Sequence, residues 1–119
     1  MINNDQILEI KKRLEQLSKY LDINRKKEDL LLLEKKMLDN NFWDNPKNAE
    51  KTLKSKKEIE KWVKSFNLIQ NNLDEINILI ELNADEKEIN SKYNETIRTL
   101  ESLEFKKMLS SKDDSLNGI

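Results

Sequence analysis

The stretch IEKWVKSFNLIQNNLDEINILI, residues 59–80, carries Ile59, Trp62, Phe66, Ile69, Leu73, Ile76 and Ile80 at alternating steps of three and four. That spacing places all seven on one face of a helix, and no Gly or Pro interrupts it. Ala49 and Leu53 extend the seam upstream to Asn45-Pro46, which reads as a helix start. Proline's fixed φ suits the first helical position, where its missing N–H is not needed, and Asn is a good N-cap. One helix is therefore expected from Pro46 to about residue 82, roughly 55 Å long at about 1.5 Å per residue. A helix of that length either projects or pairs with a long antiparallel neighbour.

The chain supplies such a neighbour. Asp85 and Glu88 repeat a cap-plus-third-residue pattern after the short link Asn83-Ala84, and Ile89, Tyr93, Ile97, Leu100, Leu103 and Met108 form the next apolar stripe. Before the long helix lie two shorter ones. Asn3 and Gln6 resemble a capping box that opens a helix over about residues 4–21, with Ile7, Ile10, Leu14, Leu17 and Leu21 on one face. Asp22 is placed to cap a second helix whose stripe is Ile23, Leu30, Leu33 and Met37, widened by Leu31, Leu32 and Leu38. Four consecutive leucines, 30–33, cover all sides of that helix. Burial by neighbouring helices is the favoured reading of the run, and contact with a partner is the alternative.

The expected fold class is thus all-α: four helices including one long central helix, in an antiparallel bundle or coiled-coil-like hairpin. The helical domain spans residues 1–109. The closing SSKDDSLNGI, residues 110–119, loses the periodicity and gains turn formers, so it reads as an exit segment toward a following domain. Leu116 and Ile119 there would suit the start of a strand.

Composition narrows the function. One Gly and one Pro among 119 residues fall far below ordinary usage of about 7% and 5%, in keeping with long helices. With no Cys and no His, disulfides, thiolate or imidazole metal sites and the usual Cys/His or Ser/His/Asp nucleophile systems cannot be built. No enzyme activity, cofactor, metal or small-molecule substrate is expected. The densest carboxylate pairs, Glu28/Asp29, Asp85/Glu86 and Asp113/Asp114, are sequence neighbours that do not face one another on a helix, so caps and solvated charge explain them better. No apolar run reaches about 20 residues, and the start lacks the blocks of a secretory signal, which makes the cytoplasm the expected location and a membrane an unexpected partner.

The net charge of -1 conceals a local asymmetry. Residues 47–64 hold seven Lys against three Glu, whereas residues 74–104 hold nine acidic residues against Lys87, Lys92 and Arg98. Lys47, Lys51, Lys54, Lys61 and Lys64 fall broadly on one side of the long helix. A solvated face opposite the seam is the favoured reading, and contact with nucleic-acid phosphates is the functional one. Between the second and third helices, NNFWDNPKNAEK, residues 40–51, sets Phe42 and Trp43 beside a Pro turn. There the aromatics serve as structural anchors, together with Pro46 and Trp62; an exposed hot spot for a partner is the alternative.

The run YLDINRKKEDLLLLEKKMLDNNFWDNPKNAEKTLKSKK, with its Tyr-Leu-Asp step, charged helix and Phe-Trp-Asp-Asn-Pro turn opening a long helix, resembles the N-terminal helical domain of the bacterial peptide chain release factor 2 family. LESLEFKKMLSSKDDSLNGI also resembles that family, where its helical domain ends. The resemblance implies a class-I factor of cytoplasmic translation termination, directed to UGA and UAA. In that family Ser-Pro-Phe reads the stop codon and Gly-Gly-Gln serves peptidyl-tRNA hydrolysis. The lone Pro46 lies between Asn45 and Lys47 and the lone Gly is Gly118, so neither tripeptide occurs here. What the resemblance leaves is a docking domain near the ribosomal stalk base, ribosomal RNA and the partner GTPase release factor. It also implies a programmed frameshift in the message at Leu21-Asp22. A different class competes: an unrelated helical adaptor that dimerises through the seam of residues 59–80.

Overall fold

The computed structural model describes the backbone of residues 2–117 and the side chains of residues 2–110. It contains four α-helices, α1 (Asn4–Leu21), α2 (Ile23–Met37), α3 (Pro46–Glu81) and α4 (Glu86–Asn117), with a short 3₁₀ helix, Asn40–Asp44, between α2 and α3. No strand occurs among the described residues. The chain divides into two compact units: one holds the segment up to Leu21 and everything from Ser65 onward, and the other holds residues 22–64.

The first unit is a bundle of α1, the later part of α3 and α4. Its core is the sequence-predicted seam: Ile7, Ile10, Leu14, Leu17 and Leu21 from α1, Phe66, Ile69, Leu73 and Ile76 from α3, and Leu100 and Leu103 from α4. Each fully buried aliphatic side chain contributes about 1.5–3 kcal/mol relative to exposure. Because Phe66, Ile69, Leu73 and Ile76 are already covered within this unit, they offer no surface to a second copy.

The helix ends obey local chemistry. At α1 the Asn3 N–H donates to Gln6 Oε1 at 2.9 Å and the Gln6 N–H donates to Asn3 Oδ1 at 3.0 Å, a reciprocal box that satisfies two otherwise orphaned donors. At the α3–α4 turn, Asn83 adopts a left-handed φ of 54°. The Ala84 N–H donates to Leu79 O at 2.9 Å and the Asn83 N–H to Ile80 O at 3.1 Å, the paired bonds of a Schellman ending. Asp85 Oδ1 then accepts from the Lys87 N–H at 3.3 Å to open α4. The reversal makes α3 and α4 an antiparallel hairpin, which Lys92 fastens by donating to Glu75 at 2.8 Å. Arg13 pairs through both Nε and Nη2 with the Glu104 carboxylate, tying α1 to α4.

The second unit comprises α2, the 3₁₀ helix and the first part of α3. Ile23, Ala49 and Val63 are buried. Leu30, Leu33, Met37, Ile59 and Trp62 are half-buried.

Several expectations do not hold. Leu31, Leu32 and Leu38 do not widen a buried stripe on α2; they are 66%, 64% and 82% exposed. A helix packed on one neighbour covers one face, and a leucine run that circles the helix leaves the others in solvent. Leu53 and Met108 also stand exposed, while Val63, outside the expected seam, is buried. Asp22 occupies the N-cap position of α2 without a side-chain cap bond. Its backbone is left-handed, at φ 51° and ψ 55°, and a capping side chain reaches the first-turn amides from the extended region instead. Helical backbone continues past Leu109 to Asn117, so Leu116 lies in helix. Ile119 lies outside the described residues.

Candidate functional site

The strongest candidate surface is the outer side of the first part of α3. Asn45 is extended, and its Oδ1 accepts from the Asn48 N–H at 3.3 Å, with Pro46 beginning the helix as its sequence position requires. From this start, Lys47, Lys51, Lys54, Lys61 and Lys64 fall within an arc of about 140° at about 100° per residue. Lys57, which the sequence reading passed over, joins the same arc by its spacing of three from Lys54 and four from Lys61. All six are exposed, and the buried Ala49 and Val63 project from the other side.

The lysines differ in their electrostatic surroundings. Lys54 lies 3.4 Å from Glu50, Lys61 3.9 Å from Glu58 and Lys64 3.8 Å from Glu60. Exposed pairs of this kind contribute about 0–1 kcal/mol, so an incoming anion displaces them at little cost. Among the described residues Lys47 and Lys51 have no carboxylate within ion-pair range. Toward the inner side, Lys56 donates to Glu60 at 2.8 Å with both side chains half-buried. That hydrogen bond holds the Glu60 carboxyl below the ordinary glutamate value, and it raises the Lys56 ammonium, with the charge of Glu34 adding to the effect.

The turn before α3 is ordered by a signal that the sequence reading missed. Asp39 Oδ1 accepts from the Asn41 N–H at 3.1 Å, and Asp39 O accepts from the Phe42 N–H at 3.1 Å. Phe42 is half-buried, and Trp43 meets it edge to face, with ring centroids 4.8 Å apart and planes at 89°. Trp43 keeps 55% of its surface exposed, Pro46 is exposed and Trp62 is half-buried.

In the first unit the concave features are open grooves. One of about 420 Å³ is floored by Leu14, Phe66 and Leu73. Another, of about 640 Å³, lies where the Lys107 ammonium sits 3.8 Å from the Tyr20 ring centroid. No group of three or more Asp or Glu side chains is placed to hold a metal ion among the described residues. No described helix is long and apolar enough to cross a membrane.

A helical hairpin bundle joined in sequence to a second helical unit with a lysine-rich outer face defines an all-α protein whose candidate surfaces are helix faces. A family model described as the PCRF domain matches residues 26–119, and the chain belongs to that family. Among similar curated proteins are the peptide chain release factors 2 of Petrotoga mobilis, 25% identical over 113 residues, and of Pseudoalteromonas translucida, 30% identical over 117 residues. That of Yersinia pseudotuberculosis is 30% identical over 122 residues. These alignments cover 92%, 93% and 95% of this chain but 31%, 32% and 33% of the relatives, so the chain spans about a third of their length.

Proposed function

We propose that this chain is the docking domain of a peptide chain release factor, positioning a termination factor on the ribosome rather than carrying out its chemistry. The PCRF match over residues 26–119 carries the reading, since it takes in the whole lysine-bearing part of α3. In this reading Lys47, Lys51, Lys54, Lys61 and Lys64 meet ribosomal RNA phosphates near the large-subunit stalk base, and the partner GTPase release factor is a second candidate contact. Each phosphate neutralised releases counterions, so the contribution is sequence-independent and salt-sensitive. Lys47 and Lys51 reach a phosphate without giving up an intrahelical pair.

Direction to UGA and UAA codons, action in the cytoplasm and a frameshift in the message at Leu21-Asp22 belong to the same proposal. The decoding and hydrolysis tripeptides of the resembling family do not occur in these 119 residues, and in this reading the segment positions the factor and takes no catalytic step. Residues 1–109 form the docking domain in this scheme, and residues 110–119 lead toward a further domain. Phe42, Trp43, Pro46 and Trp62 set the turn from which the basic face is presented.

The test is co-sedimentation with purified large ribosomal subunits across a salt series, comparing the unaltered chain with Lys51→Glu/Lys54→Glu/Lys61→Glu. Removing three phosphate contacts lowers the slope of log K against log salt by about 2–3 and weakens association at least tenfold at low salt. Unchanged sedimentation of the triple variant would remove the basic face from the mechanism. If the unaltered chain does not sediment with subunits at any salt, docking itself is refuted.

A further inference from the structure

The exposed leucines of α2 stand in a charge pattern of their own. Leu31 and the C-cap residue Leu38, whose φ of -77° and ψ of -16° continue the helical course, lie seven residues apart on one line, and both are open to solvent. Lys27 and Glu34 flank that line on one side, and Glu28 and Lys35 flank it on the other. Leu32 lies about 100° away from Leu31 at the helical pitch, outside this line.

We infer that α2 is a self-recognition surface, on which a second copy of this chain packs its own α2 parallel and in register. Two parallel helices related by a two-fold axis present opposite flanks to each other. Leu31 then meets Leu31 and Leu38 meets Leu38 along the seam, while Lys27 faces Glu28 and Glu34 faces Lys35 of the other copy. All four flanking pairs formed by the two-fold are of opposite sign. A slip of one heptad would instead set Lys27 against Lys35 and Glu28 against Glu34, so the charges select the register. The pairing does not require any of these side chains to lack a partner within its own chain: the Glu34 charge also acts on Lys56, whose ion pair is with Glu60, and such a surface attraction leaves the carboxylate open to a further cation.

The size of the surface sets the strength. A 15-residue helix is about 22 Å long, and one helix laid on another over that length buries less than the roughly 1,000 Å² that a stable interface clears. The pairing is therefore weak and concentration-dependent, with the chain monomeric at micromolar concentration and pairing at about 0.1–1 mM. It is distinct from ribosome docking and uses none of the lysines of α3.

The chain has no Cys, so single introduced cysteines report the geometry directly. Leu31→Cys, Leu38→Cys and Leu32→Cys are each oxidised mildly at 0.5 mM and resolved on non-reducing gels, beside sedimentation equilibrium of the unaltered chain. The expected result is a disulfide-linked dimer from Leu31→Cys and from Leu38→Cys, at least fivefold more than from Leu32→Cys. A rising mass of the unaltered chain, reversed by Lys35→Glu, is expected in parallel. A dimer from Leu31→Cys alone would overturn the parallel register, since only a two-fold crossing at Leu31 gives it. A constant monomer mass at 1 mM, or equal linkage at all three positions, would overturn the inference altogether. All these readouts are independent of ribosomes, so a failure here leaves the docking proposal standing, and a failure of docking leaves this one.

Discussion

Asn72 sits in the core of the first unit, 1% exposed, between the buried Ile69, Leu73 and Ile76 of its own helix. Its Nδ2 is buried with no hydrogen-bond partner among the described residues. A buried amide donor left unpaired costs about 1–3 kcal/mol, and Leu has the same number of side-chain heavy atoms in the same branched arrangement. Asn72→Leu therefore removes the penalty with little change in shape. Leu is also the better helix former by roughly 0.4 kcal/mol. The sum predicts a gain of about 1.5–3 kcal/mol, with Asn72→Ala as the comparison that removes the amide but leaves a void. Urea unfolding followed by circular dichroism measures it: at a slope of about 1.5 kcal/mol per molar, a 2 kcal/mol gain moves the midpoint up by roughly 1.3 M. The reasoning fails if Asn72→Leu is less stable than the unaltered chain by 1 kcal/mol or more, because the amide would then be engaged in the folded state. Retention of so costly a group has a physical rationale in alignment, since a polar side chain in an apolar seam penalises slipped packings of α3.

Three further outcomes rest on named contacts. Ile10→Ala, at a position with no exposure, should cost about 2–5 kcal/mol in urea unfolding, whereas Leu32→Ala should stay within about 0.5 kcal/mol; similar losses at both would contradict the observed burial. Asn83→Gly should raise the unfolding free energy by about 0.5 kcal/mol because glycine accepts the left-handed φ of 54° without a Cβ, and Asn83→Val should lower it, both read from urea unfolding; the reverse order would mean the turn is not left-handed. The Lys56 hydrogen bond depresses the Glu60 carboxyl, so its stabilisation is present above the unfolded glutamate value of about 4.3 and is lost as pH falls through the lower folded value. The stability gap between the unaltered chain and Lys56→Gln should thus be larger at pH 7 than at pH 3, and a gap that widens on acidification would invert the assignment.

Helix starts and the main core were legible because they depend on short-range chemistry. The Asn3/Gln6 box, the Asn45 cap before Pro46 and the Asp85 side-chain cap each involve residues two or three apart and are present, whereas the cap expected of Asp22 is not. The seam through Phe66, Ile69, Leu73 and Ile76 is buried for the same reason: a period of 3.6 collects its side chains on one face wherever the neighbours come from. The basic side of α3 was legible as an arc of spacing, but its ion pairs were not, because Lys54 and Glu50 can meet or part without altering the pattern. The continuation of α4 was missed because polar, turn-forming residues near a helix end lower intrinsic propensity without forbidding helix.

From sequence alone came the all-α class, the four helices in their order and the resemblance to a release-factor domain. Tertiary structure decided which apolar residues are covered. The leucine run on α2 offers apolar surface in every direction, and only the placement of α3 beside it determines that Leu30 and Leu33 are half-buried while Leu31, Leu32 and Leu38 face solvent. Asp22 makes the same point at the backbone level: its residue type permits either an extended cap or a left-handed link, and the immediate succession of α1 and α2 selects the second. Periodicity and capping are properties of neighbours along the chain, whereas burial is set by how many other helices arrive to share each face.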